Sequence, residues 1–259
     1  MLQDAFDRSH MPVSWDGITT RLTTEGWERI SASNVTHFYV KGDAVMRINR
    51  NYDYGYANYT ELSLHVPSPH FVQFAWHDFL QDDTHVALLE KLEPTPPDRQ
   101  LSRALRPTLR ALWQLGNYLL PFTDEDMVEA GYPGLSYRGD LAREFDKDYL
   151  AAQKNDLAAQ SPSLVAALSL LQSYLMKLAE DDFRFLFPVT TLSPSNLMIR
   201  RDQVTAAETI VIADPYVYDY QAEPNYSDSD DNAIEALEAV FGLPNLPNLK
   251  VYKYERNFS

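Results

Sequence analysis

Side chains able to do covalent or metal chemistry are few and scattered in this chain. Its 259 residues contain no Cys, which excludes thiolate metal sites, disulfides and cysteine nucleophiles and is compatible with a reducing compartment. The six His stand at positions 10, 37, 65, 70, 77 and 85. His65, His70 and His77 with Asp78 form a conceivable metal donor set, but their spacing matches neither the helical i, i+4 pattern nor a zinc finger. Ser63, Ser161 and Ser193 lack a G-x-S-x-G setting, so serine-hydrolase chemistry has no support. What remains is the stretch Val189 to Pro215, VTTLSPSNLMIRRDQVTAAETIVIADP, in which Asn196 opens one short apolar run and Asp214 closes another.

The elements that must position these residues are legible from periodicity. Between Trp27 and Ile48, apolar and β-branched residues alternate around a Lys41-Gly42-Asp43 turn, the pattern of a β-hairpin. Tyr52 to Val66 reads as a helix, or an aromatic-rich loop leading into one, stopped by Pro67-Ser68-Pro69. Its four Tyr with Asn and Asp suit either an adaptable binding surface or a packed interface. Phe71 to Trp76 and Thr84 to Leu92 read as two more strands, the second a nearly continuous apolar run of the kind buried on both faces. Past the Pro-rich PTPPD segment the period becomes helical: Arg103 to Leu120 with Pro107 in its first turn, then Leu164 to Ala179 behind a Ser161-Pro162-Ser163 start signal. Two short strands follow, Ser195 to Ile199 and Thr209 to Ala213, on either side of Arg200, Arg201 and Asp202.

This late pair of strands resembles the catalytic core of the protein-kinase-like superfamily, particularly its aminoglycoside-phosphotransferase branch and the kinase domain of an early protein of T7-like bacteriophages. There, a loop H-x-D-x-H-x-x-N runs into a short strand, and a second strand after a turn ends in Asp. The resemblance implies that Asn196, in PSNLMI, and Asp214, in IADP, hold the magnesium ions that bridge nucleotide phosphates. The family's catalytic Asp falls five residues before Asn196, where this chain has Thr191. A Thr hydroxyl is no base near neutral pH, so general-base assistance of about 10²–10⁴-fold is missing. Asp140, in YRGDL, imitates the loop superficially, but Phe145 stands where Asn would follow, and a solvated turn is the plainer reading.

The N-terminal part departs in the same way. The family's glycine-rich loop corresponds to Ile30 to Tyr39, which contains no Gly; Ser31, Ala32 and Ser33 are small enough for a backbone to approach phosphate. Arg47 stands where the phosphate-pairing Lys belongs, and Glu61 on the next helix is the candidate partner for it, against the alternative of an exposed helix carboxylate. Leu88 to Leu92 would be the hinge strand whose backbone reads adenine.

The expected fold is therefore α+β, a protein-kinase-like two-lobed domain with a β-rich N-lobe and N-terminal extension over residues 1–93 and a helical C-lobe over 94–259. Lys and Arg number 22 against 37 Asp and Glu, a formal charge of −15 that repels nucleic-acid backbone and anionic lipid. Residues 1–10 lack a signal-peptide pattern and no run reaches the ~18 apolar residues of a membrane span, which suggests the cytoplasm. The resulting expectation is a pseudokinase-like protein in which ATP and magnesium binding is weakened or lost, acting through a protein partner, for example as a bacteriophage inhibitor or modulator of a host protein. Two alternatives stand beside it. One is a divergent transferase moving phosphoryl or AMP groups. The other is an acidic nucleic-acid mimic using the strip Asp219 to Glu238 together with Asp124-Glu125-Asp126.

Overall fold

The Lys41-Gly42-Asp43 turn joins β2 (Thr36–Lys41) to β3 (Ala44–Asn49), with cross-strand pairs running from Lys41↔Ala44 to Thr36↔Asn49. Gly42 takes φ +61° there, a conformation open to a residue without Cβ at little cost. In the computed structural model the described residues are 2–33, 35–50, 53–96, 100, 102–119, 147–179, 185–186, 196–214, 217–218, 242 and 244–252. Around the hairpin, β1 (Glu28–Ala32), β4 (Phe74–Phe79) and β5 (His85–Glu90) complete an antiparallel sheet in the order β1-β2-β3-β5-β4. The helix α2 (Tyr54–His65) lies between β3 and β4 in sequence.

Every residue of β3 is buried, because both faces of the sheet are covered and side chains alternate between them. Ala44, Met46 and Ile48, with Val86 and Leu88 of β5, join a cluster with Phe6, Trp15, Ile18 and Leu22. On the other face Arg47 and His85 meet Tyr56 of α2. The cluster depends on a helix that sequence periodicity did not indicate, α1 (Trp15–Thr24). Its Thr-rich composition hides a narrow stripe of Trp15, Ile18 and Leu22, all buried. The Ser14 hydroxyl caps it by accepting from the Gly17 N–H at 3.3 Å, and Gly26, at φ +79°, follows its end.

The fourth strand begins three residues later than expected, at Phe74 rather than Phe71. Phe71 instead forms a parallel bridge with Ile212. The chain divides into two compact units, one formed by Met1–Pro67, Val72–Lys91 and Leu249–Ser259, the other by Ser68–Phe71 and Leu92–Asn248. Ser68–Phe71 goes with the second unit, and the C-terminal segment with the first.

The second unit contains the helices α3 (Arg106–Leu119), α4 (Lys147–Gln160) and α5 (Pro162–Ala179). They bury Leu109, Leu112, Leu150, Leu157, Leu164, Leu171 and Tyr174. Pro107 occupies the first turn of α3, where its missing N–H has no helical partner to lose. A three-stranded ribbon has the order β6-β8-β9, from β6 (Glu93–Pro94), β8 (Leu197–Arg201) and β9 (Glu208–Ile212). A separate pair joins β7 (Phe185–Leu186) to β10 (Val217–Tyr218). The fold is α+β, a β-rich unit and a largely helical one. Among the described residues no helix is long and apolar enough to cross a membrane.

Because Leu22 is fully buried, Leu22→Ala should lower the unfolding free energy by about 2–5 kcal/mol in urea titration. The exposed neighbour Thr20→Ala should change it by less than about 0.5 kcal/mol.

Candidate functional site

Arg47 reaches the buried side of β3 and forms an ion pair with Asp53, their side chains 6% and 19% exposed. Its guanidinium lies 3.7 Å from the centre of the Tyr56 ring, stacked as Arg prefers on an aromatic face. Asp53 has two tasks. One carboxylate oxygen takes Arg47, and the other accepts from the Tyr56 N–H at 3.1 Å, capping α2.

Glu61, expected as the partner of Arg47, is engaged elsewhere. It is a buried carboxylate rather than an exposed one. Its Oε1 accepts from the Lys250 N–H at 3.2 Å and lies 3.5 Å from His65 Nδ1, and its Oε2 lies 3.7 Å from His77 Nε2. Eight residues, just over two helical turns, separate Asp53 at the cap from Glu61, and the nearer carboxylate is the one paired with the cation.

Ser31 and Ser33 behave differently from each other. Ser31 sits in the exposed edge strand β1, opposite Phe38. Ser33 closes the β1–β2 turn: its N–H donates to the Thr36 carbonyl at 2.8 Å, and its hydroxyl accepts from the N–H groups of Val35 at 3.3 Å and Thr36 at 2.9 Å. These backbone donors belong to the loop that the resemblance assigns to phosphate, and they are used inside the turn.

In the second unit the strands β8 and β9 bring the two candidate metal ligands to one end of the ribbon. Leu197 pairs with Ile212, and the Ala213 N–H donates to the Asn196 carbonyl at 2.7 Å, which leaves Asp214 one residue beyond that link. An amide oxygen and a carboxylate are hard donors suited to magnesium. The described residues contain no cluster of three or more His, Cys, Asp or Glu able to hold a metal. Thr191, Asp140, Asp124 to Asp126 and the strip Asp219 to Glu238 lie outside the described residues.

Two groupings had no local signature. In the second unit, His70 Nδ1 lies 2.8 Å from the Ile210 carbonyl and Nε2 lies 2.8 Å from the Ser163 hydroxyl. The carbonyl only accepts, so Nδ1 carries the proton and Nε2 accepts from Ser163. This contact ties the Ser68–Phe71 segment to β9 and to the start of α5. In the first unit, His77 Nδ1 and His85 Nε2 are 3.1 Å apart, and the Tyr252 hydroxyl lies 3.3 Å from His77 Nε2. Burial pushes His85 well below the ordinary histidine value, helped by the nearby Arg47 cation. Burial also lowers His77, against the opposing pull of Glu61 and Asp78. Burial raises the Tyr252 phenol to about 12. His77 and His85 are eight residues apart on the adjacent strands β4 and β5, whereas the contacts of His70 and Tyr252 join residues 93 to 175 positions apart.

Two measurements follow from this geometry. Asp53→Ala, which strands a buried guanidinium and uncaps α2, should cost about 3–5 kcal/mol in urea unfolding. Asp53→Asn keeps the cap and should cost about 1 kcal/mol less. The histidines give the second. Their folded values lie below the unfolded value of about 6.5, so the stability they contribute is complete above that pH and is lost as pH falls toward the folded values. Unfolding free energy should therefore drop below about pH 6.5, and His85→Phe should reduce that slope. A slope unchanged by the substitution would remove His85 from the cause.

No protein-family model matches the chain, and no curated protein matches it significantly. Several solved structures are similar to it. One is the GDP complex of wild-type aminoglycoside 2'-phosphotransferase-IIIa, 14% identical, with 87% of this chain and 82% of that one covered at a TM-score of 0.34. Another is the GDP and kanamycin complex of APH(2")-IIIa, 14% identical, with 88% and 83% covered at 0.33. A third is spectinomycin phosphotransferase with ADP and spectinomycin, 10% identical, with 92% and 82% covered at 0.35.

Proposed function

We propose that this chain is a catalytically degenerate, kinase-like protein that acts by binding a protein partner, inhibiting or redirecting it. The observation that carries this reading is the state of the groups that the resemblance assigns to phosphate. The β1–β2 turn uses the N–H groups of Val35 and Thr36 on Ser33, and Arg47 is paired with Asp53 within the same unit. Thr191 in place of the catalytic Asp supports it from the sequence. The charge of −15 favours a partner with a basic surface, since complementary potentials speed encounter and exclude wrong partners.

A second reading keeps an enzyme. Asn196 and Asp214 stand at one end of the β8–β9 ribbon, a placement suited to a magnesium ion carrying a nucleotide. On that reading another carboxylate, or a different nucleotide pose, replaces the base absent at Thr191, and phosphoryl or AMP transfer follows.

Thermal unfolding with and without millimolar ATP and magnesium separates the two. A ligand present at about one hundred times its Kd stabilises the native state by ~2.7 kcal/mol, which raises Tm by several degrees in a chain of this size. The degenerate reading predicts no magnesium-dependent rise. A rise that disappears in Asp214→Ala would favour the transferase.

A further inference from the structure

The C-terminal segment Leu249–Tyr252 belongs to the β-rich unit and is held there by its main chain. The Asn58 carboxamide makes a two-point contact with Tyr252, donating to its carbonyl at 3.0 Å and accepting from its N–H at 2.9 Å. One turn further along α2, Glu61 accepts from the Lys250 N–H at 3.2 Å. The two contacted residues alternate, as they do when an extended chain offers its backbone to one side. Beside them Leu249 is 5% exposed. The Tyr252 ring packs against His77 and Phe79 of β4, with ring centres 5.2 and 5.5 Å apart.

Hydrogen bonds to a peptide main chain accept any sequence, whereas selectivity comes from the pockets for alternate side chains. The segment offers a buried aliphatic side chain, Leu249, and, three residues on, the Tyr252 ring packed on β4. We propose that α2 and β4 form a docking groove for an extended peptide with an aliphatic-x-x-Tyr pattern. The chain's own C-terminal segment fills it in cis, and the extended segment of a protein partner displaces that segment. This deepens the partner-binding reading and rests on it.

Exchange can be measured on the full chain with a fluorescein-labelled peptide of the sequence Leu249–Ser259, read by anisotropy. A tethered segment competes at an effective concentration on the order of millimolar, so a peptide with micromolar affinity for an open groove should bind the wild type about 10³-fold more weakly. Two full-length variants open the groove: Tyr252→Ala removes the ring, and Lys250→Pro removes the N–H that Glu61 accepts. Both should bind the labelled peptide at least about tenfold more tightly than the wild type does, and the same peptide carrying Tyr252→Ala should not bind. The proposal fails if folded variants bind no peptide, or bind no better than the wild type. It fails equally if both variants lose their cooperative unfolding transition, because the segment is then core rather than an exchangeable occupant. A wild-type dimer that Tyr252→Ala dissociates would show a swap between copies and would overturn the partner assignment. None of these outcomes depends on ATP, so the nucleotide experiment fails or succeeds separately.

Discussion

A guanidinium on the central strand of a sheet covered on both faces is the constraint around which the β-rich unit is arranged. Arg47 has neighbours in register on both sides, Phe38 on β2 and Ala87 on β5. Removing such a charge from water is costly unless a carboxylate and further polar or aromatic groups receive it. Asp53 supplies the carboxylate from the first position before α2, and Tyr56 supplies an aromatic face one turn in. The same Asp53 caps the helix. The start of α2 is therefore fixed by the cation on the strand, and Asn58 and Glu61 are placed by the helix that follows. The carboxylate that receives Arg47 thus also starts the helix that carries the contacts to Lys250 and Tyr252.

Sequence patterns carried the parts of the fold whose causes are local. The β2–β3 hairpin was legible because Gly42 permits its turn, and α5 because Ser161-Pro162 precedes a broad apolar stripe. The strands β8 and β9 were legible as apolar runs bounding a polar turn, and with them the juxtaposition of Asn196 and Asp214. The hairpin pattern between Trp27 and Ile48 covered β1 as well, whose residues are all exposed.

Long-range causes left no such trace. α1 shows only three apolar positions among Thr residues, and its stripe becomes meaningful once a sheet face exists to receive it. Glu61 looked like a partner for Arg47 because a carboxylate on the next helix fits the family pattern, but Asp53 is closer to the strand end. Glu61 instead faces a segment 189 positions away, and Asn58 one 194 positions away. No window along the chain holds both halves of those contacts. The early start assigned to β4 has the same origin, since Phe71 looks like a strand residue but forms an isolated bridge with Ile212 instead.

The central proposal is that the chain is kinase-like without transfer chemistry. Incubation of the purified chain with γ-labelled and α-labelled ATP, magnesium and candidate protein substrates tests it most directly, with Asp214→Ala run in parallel. The account predicts no label on the chain or on any substrate above the level seen with Asp214→Ala. Label incorporated by the wild type and absent with Asp214→Ala would contradict it, because Asn196 and Asp214 would then be serving a working nucleotide site.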